Sequence, residues 1–133
     1  MIDYIVLFLI CGTLELGLEV ISASFQRELS RIGGWDKYNF LVMLILGGLI
    51  GILIGPLSQL ESISRIPIIV KIIAGGSIIT LLELITGLLF NRDHNIWDYR
   101  NEFLNFKGQI CLKHYALFCL VTPAVVYIYK LVI

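Results

Sequence analysis

The chain has little charge, little cysteine and no phosphate-binding glycine loop. Charged residues make up 15% of its 133 positions, ten basic against ten acidic, for a net charge of zero. No Lys/Arg cluster approaches the basic stripe that phosphate backbones require, so nucleic acid is excluded as a partner. The three cysteines, Cys11, Cys111 and Cys119, are odd in number and lack CxxC spacing. That argues against a disulfide framework or a zinc site and makes them small buried hydrophobes. The two histidines, His94 and His114, form no HExxH or other ligand spacing, so no metal is expected. No Walker GxxxxGK[ST] occurs, so any use of ATP requires a second chain. Nothing calls for a bound cofactor.

Apolar residues are abundant instead. They make up 58% of the chain, against roughly 45–50% in soluble domains, and the mean hydropathy is +0.90. They fall in four runs, 4–23, 40–57, 66–90 and 111–133, each close to the roughly 20 residues that cross a hydrocarbon core. The fold class expected is all-α, a single transmembrane domain (1–133) built as a bundle of four membrane-spanning helices in a lipid bilayer. The first run carries Glu15 and Glu19 and has no basic segment before it, which favours a permanent helix over a signal peptide.

Basic residues set the expected orientation. Arg27, Arg31 and Lys37 follow the first run and Arg92, Arg100, Lys107 and Lys113 the third, against Arg65, Lys71 and Lys130 on the other side. The positive-inside rule then places loops one and three in the cytoplasm and both termini outside, in a multi-pass cell-membrane protein. In the second run, Gly47, Gly51 and Gly55, with Gly48 beside them, put small residues four apart on one face. Such faces let helix backbones approach closely in lipid. The contact is either within the chain or between copies of a homo-oligomer, with Gly75-Gly76 as a candidate complementary surface. Pro123 should kink the last helix.

The two halves echo each other. Leu14-Glu15-Leu16 leads to Trp35-Asp36, and Leu82-Glu83-Leu84 leads to Trp97-Asp98, a pattern that would make a parallel two-helix repeat with a pseudo-twofold axis along the membrane normal. Glu15 and Glu19 share a helix face, being four apart, and Glu83 lies at comparable depth. Run one holds eleven Leu, Ile, Val and Phe residues; these contribute about 3–7 kcal/mol to insertion, and two central acids nearly cancel that. The acids therefore need partners inside the bundle. Trp35, Trp97, Tyr99 and Tyr115 suit an interfacial aromatic belt, and Asp98 suits either a turn cap or a place in the acidic site.

One stretch of the C-terminal half has a familiar pattern. Glu83-Leu84-Ile85-Thr86-Gly87, then Trp97-Asp98-Tyr99, then Asn105-Phe106-Lys107-Gly108-Gln109-Ile110-Cys111-Leu112 resembles the family of small bacterial membrane proteins called Putative ABC-transporter type IV. The likeness covers the last third to half of the chain, and Arg100 stands where the family pattern usually has serine. The resemblance implies a permease-like subunit partnered by a separate ATPase or another membrane subunit, with no substrate specified.

Three readings follow. In the first, a permease-like or transport-associated component binds its substrate through Glu15, Glu19, Glu83, Trp97, Asp98, Tyr99 and Asn105, the acids taking a cation, a proton or an amine. In the second, a membrane-embedded or lipid-modifying enzyme uses the same carboxylates as general acid and base. In the third, a structural assembly subunit uses only the glycine face, and the acids are packing glue.

Overall fold

A computed structural model describes residues 1–133. It is 74% helical and contains no strand. Four helices have the length and apolarity of membrane spans: α1 (Ile2–Phe25), α3 (Lys37–Ser58), α5 (Ile68–Phe90) and α6 (Leu112–Val132). Two short helices that the hydropathy pattern does not foretell, α2 (Leu29–Gly33) and α4 (Glu61–Ser64), lie in the first and second connections. The chain is a multi-pass all-α membrane protein.

The helices form a rhombus. α3 and α6 pack on each other across its short diagonal, while α1 and α5 occupy the far corners and each lean on both. Large apolar side chains such as Leu81, Ile85 and Leu89 on α5 point outward, as they do when lipid replaces water as the solvent. The core runs through Met43, Leu46, Ile50 and Ile54 of α3 to Ile79 and Phe118.

Glycine determines how closely α1 and α3 approach. A Cβ on Gly47 would lie 2.5 Å from Cβ of Glu15 and 2.7 Å from the Cys11 carbonyl oxygen, and one on Gly51 would lie 2.6 Å from Cys11 Sγ. The expected single face is, however, divided. Gly55 abuts Tyr129 of α6, and Gly75 and Gly76 face Thr122 and Cys119 of α6 instead of complementing α3. The cause is helical drift: four residues turn 400°, so a row of every fourth residue winds about 40° per step and passes from one neighbour to the next. The true counterpart of the α3 glycines is Gly12, whose Cβ would meet the Leu44 carbonyl oxygen at 2.5 Å.

Gly47→Leu and Gly12→Leu should therefore each cost about 1–3 kcal/mol through overpacking, and both should reduce the monodisperse fraction after purification. Gly17→Leu should not, because no atom lies within 4 Å of a Cβ there. Equal yields for all three variants would contradict the close contact.

Asp36 opens α3 by accepting the Asn39 amide at 2.9 Å, and Trp35 packs edge-on against Phe40 with ring centroids 5.3 Å apart. This is an N-cap with a hydrophobic staple. The second Trp-Asp pair opens no helix. It lies in the long connection 91–111, whose only ladder-like pairing is Phe106 with Ile110. The two echoing motifs thus occupy different local structures.

Candidate acidic site beneath the third loop

The third connection is clasped to the end of the bundle by one amide pair. Asn91, just past α5, accepts the Ile96 amide on Oδ1 at 2.9 Å and donates through Nδ2 to the Trp97 carbonyl at 2.8 Å and to Gln109 Oε1 at 3.1 Å. Gln109 donates back to the Asn91 carbonyl at 2.9 Å, and the Trp97 indole donates to the Gln109 carbonyl at 2.9 Å. Asn91 and Trp97 are fully buried, Gln109 nearly so. Every polar side-chain atom in the clasp has a partner, which is the condition for such a network to rigidify a buried loop. Two glycines make room for it. A Cβ on Gly87 would collide with the Gln109 amide, and Gly108 has φ +67°, with Arg100 and His94 where a side chain would go.

The clasp turns Tyr99 inward. Its hydroxyl donates to Glu83 Oε1 at 2.8 Å. Its ring stacks on His114, with centroids 4.1 Å apart and planes 22° apart. Burial, and then the charges of Glu83, Glu19 and Glu15, hold the phenol well above its usual pKa. Tyr99 therefore remains a hydrogen-bond donor, and three glutamates from two opposite corners of the bundle converge on it. Glu15, Glu19 and Glu83 are 8%, 7% and 3% exposed.

Their partners are unequal. Glu19 Oε1 receives Arg31 Nη2 at 2.8 Å, and Arg31 Nη1 donates to the Ile96 carbonyl of the third loop. Glu83 Oε2 is sealed from solvent and has no hydrogen-bond partner, and the same is true of Arg31 Nε. Glu15 makes no protein hydrogen bond, while its Cβ lies against Gly47. The guanidinium thus pairs with only one of the three clustered carboxylates. Arg31 also lines a polar cavity of about 570 Å³ on the loop side, together with Asp36, Asn39, Asp93, His94 and Asn95, so its side chain stands between that vestibule and Glu19.

His114 is buried and bridges two elements. Nε2 lies 3.3 Å from Ser22 Oγ of α1, and Nδ1 lies 3.3 Å from Cys111 Sγ. Burial raises the Cys111 thiol pKa, the opposite of what an activated nucleophile needs, so the pair reads as packing and not as a thiol dyad.

Of the residues singled out from the sequence, the fold brings Glu15, Glu19, Glu83 and Tyr99 together. The others are held in the loop. Trp97 belongs to the clasp. Asp98 accepts the Arg100 amide at 3.1 Å and pairs with its guanidinium at 2.7 Å. That hydrogen bonding to Arg100 holds the Asp98 carboxyl below its usual pKa, as the turn-cap alternative anticipates. Asn105 donates to the Arg100 and Glu102 carbonyls and accepts the Gly108 amide at 3.0 Å. Arg31, His114, Asn91 and Gln109 are not among the site residues expected from the sequence. Arg31 had only a weak signal, as one of three basic residues, with Arg27 and Lys37, that follow a span carrying unpaired acids.

Four apolar helices around a buried acidic cluster define a polytopic membrane protein. A sequence model of the family described as Putative ABC-transporter type IV matches residues 6–133, and the chain belongs to that family. The match is wider than the C-terminal likeness and takes in the half carrying Glu15, Glu19 and Arg31. Among curated proteins and among solved structures, nothing matches the chain.

Proposed function

We propose that the chain is a permease-like, transport-associated subunit whose buried carboxylates bind a proton or a small monovalent cation on its way across the bundle. The observation that carries this reading is the sealed, unpartnered Oε2 of Glu83 beside two further glutamates and a single compensating arginine. A buried acceptor without a donor costs about 1–3 kcal/mol, and acids retained within membranes commonly mark ion and proton pathways. A proton on Oε2, or a cation between Glu83 and Glu15, would remove that cost. Arg31, at the floor of the polar vestibule, is placed to screen the site from that side. Energy from ATP would come from a separate chain.

A lipid-soluble carbodiimide supplies a test, because it modifies protonated carboxyls in apolar surroundings. Modification at Glu83 or Glu15 is expected in native membranes. Protection by sodium or lithium would assign a metal cation, and unprotected modification would assign a proton. Absence of modification at both residues would contradict the proposal.

Loops one and three are proposed to face the cytoplasm. Asn101, exposed in the third loop, allows a direct check on a variant in which all three native cysteines are replaced by serine or alanine. Asn101→Cys in that background should resist an impermeant thiol reagent in intact cells and react after permeabilisation, whereas ready labelling of intact cells would reverse the orientation.

A further inference from the structure

The opposite end of the bundle carries a second cavity, unrelated to the carboxylates. It measures about 440 Å³, within the roughly 300–1,000 Å³ of ligand pockets. Its floor is where α5 and α6 meet at Gly75 and Thr122, a contact so close that a Cβ on Gly75 would overlap the threonine side chain. Beyond that point, toward the start of α5, the walls are apolar, with Ile54 of α3, Ile72 of α5 and Val126 of α6 among them. The residues between α3 and α5 close one side. Lys71 and Lys130 also line the cavity, and no acidic residue does. Lys71 Nζ donates to the Ser64 carbonyl at 3.0 Å, which holds the ammonium beside the opening, while Lys130 is exposed near the end of α6.

We propose that this cavity is a binding site for one anionic phospholipid, with an acyl chain among the α3, α5 and α6 side chains and the phosphate between Lys71 and Lys130. The two parts of the site match the two parts of that molecule. An apolar slot near the end of the spans takes a chain from the adjoining leaflet, and two lysines at headgroup level with no acidic neighbour in the lining select negative charge. A zwitterionic lipid would fill the slot equally well but carries a cation that the lysines repel. A soluble phosphate would find the charge but leave the slot empty.

Native mass spectrometry of the full chain, delipidated in detergent and then supplied with phosphatidylglycerol or phosphatidylcholine of identical chains, reads the preference. One phosphatidylglycerol should be retained, with an advantage of roughly fivefold per lysine. Lys71→Gln with Lys130→Gln should bring retention down to the phosphatidylcholine level. Val126→Trp should abolish retention of both lipids by filling the slot. Should that variant misfold, the lysine variants, which alter only the rim, carry the test. Glycerol phosphate should not displace the lipid. The proposal is overturned if wild-type protein retains the two lipids equally, if the lysine double variant keeps the preference, or if glycerol phosphate competes as well as the whole lipid.

Discussion

Glu83→Gln is expected to leave a protein that inserts and purifies normally but whose thermal unfolding no longer responds to cations. The amide keeps the shape of the carboxyl, and its oxygen can still accept the Tyr99 hydroxyl now bonded at 2.8 Å. What it loses is the negative charge and the empty acceptor at Oε2. A ligand that binds only the folded state stabilises it by RT ln(1 + [L]/Kd), about 2.7 kcal/mol at a hundredfold excess over Kd. Where the ligand is a metal cation, wild-type protein should therefore melt at higher temperature as sodium or lithium is raised against a choline control, and Glu83→Gln should not. Where it is a proton, neither should respond and carbodiimide should still react. Tyr99→Phe makes the complementary change. It removes the donor and keeps the acid, so it should lower stability by about 1.5–3 kcal/mol, the range for hydrogen bonds to charged groups, and retain the cation response. If Glu83→Gln responds to cations like wild type, the site lies elsewhere. If neither protein responds and carbodiimide also fails to react, the glutamates are packing glue.

The spans were legible because bilayer-crossing segments are specified by composition over a long window, and composition survives without knowledge of contacts. The meeting of Glu15, Glu19 and Glu83 was legible for a related reason: acids at matching depth have nowhere cheap to go except toward each other. Arg31 was not, because its pairing depends on how the chain reverses after α1. Arg27 adopts a left-handed conformation, with φ 59°, and the Glu28 amide returns to the Ala23 carbonyl at 2.8 Å. That turn is followed by α2, which carries Arg31 to Glu19. A single arginine in a short loop otherwise counts only as a topogenic charge.

The clasp was hidden for a similar reason. Asn91 and Gln109 are eighteen residues apart and resemble ordinary loop residues until the fold buries both. The Trp-Asp motifs illustrate the limit of reading letters alone. Asp36 and Asp98 both accept a nearby backbone amide, but a staple to Phe40 commits the first to a helix, and an ion pair with Arg100 commits the second to a turn. The glycine row was read as one face because a row of every fourth residue looks straight in sequence and winds in space.

The largest loss of stability should come from Arg31→Met. The guanidinium is 15% exposed and its partner Glu19 is 7% exposed, so the substitution strands a carboxylate in the bundle and also leaves the Ile96 carbonyl without its donor. Breaking a buried pair from one side costs about 3–5 kcal/mol. Glu19→Gln should cost less, because Arg31 retains the Ile96 carbonyl and lies 3.5 Å from Glu28, near enough to the vestibule for water to solvate what remains. Combining Arg31→Met with Glu19→Met removes both charges, and the double variant should be more stable than Arg31→Met alone, with a coupling energy toward the upper end of the roughly 0.5–3 kcal/mol seen for contacting residues. Reversible unfolding in mixed detergent and dodecyl sulfate measures all three. Additive effects, or a cost below about 1 kcal/mol for Arg31→Met, would mean that the pair is solvated like a surface ion pair. The vestibule would then reach the carboxylates directly, with Arg31 no longer standing between water and the site.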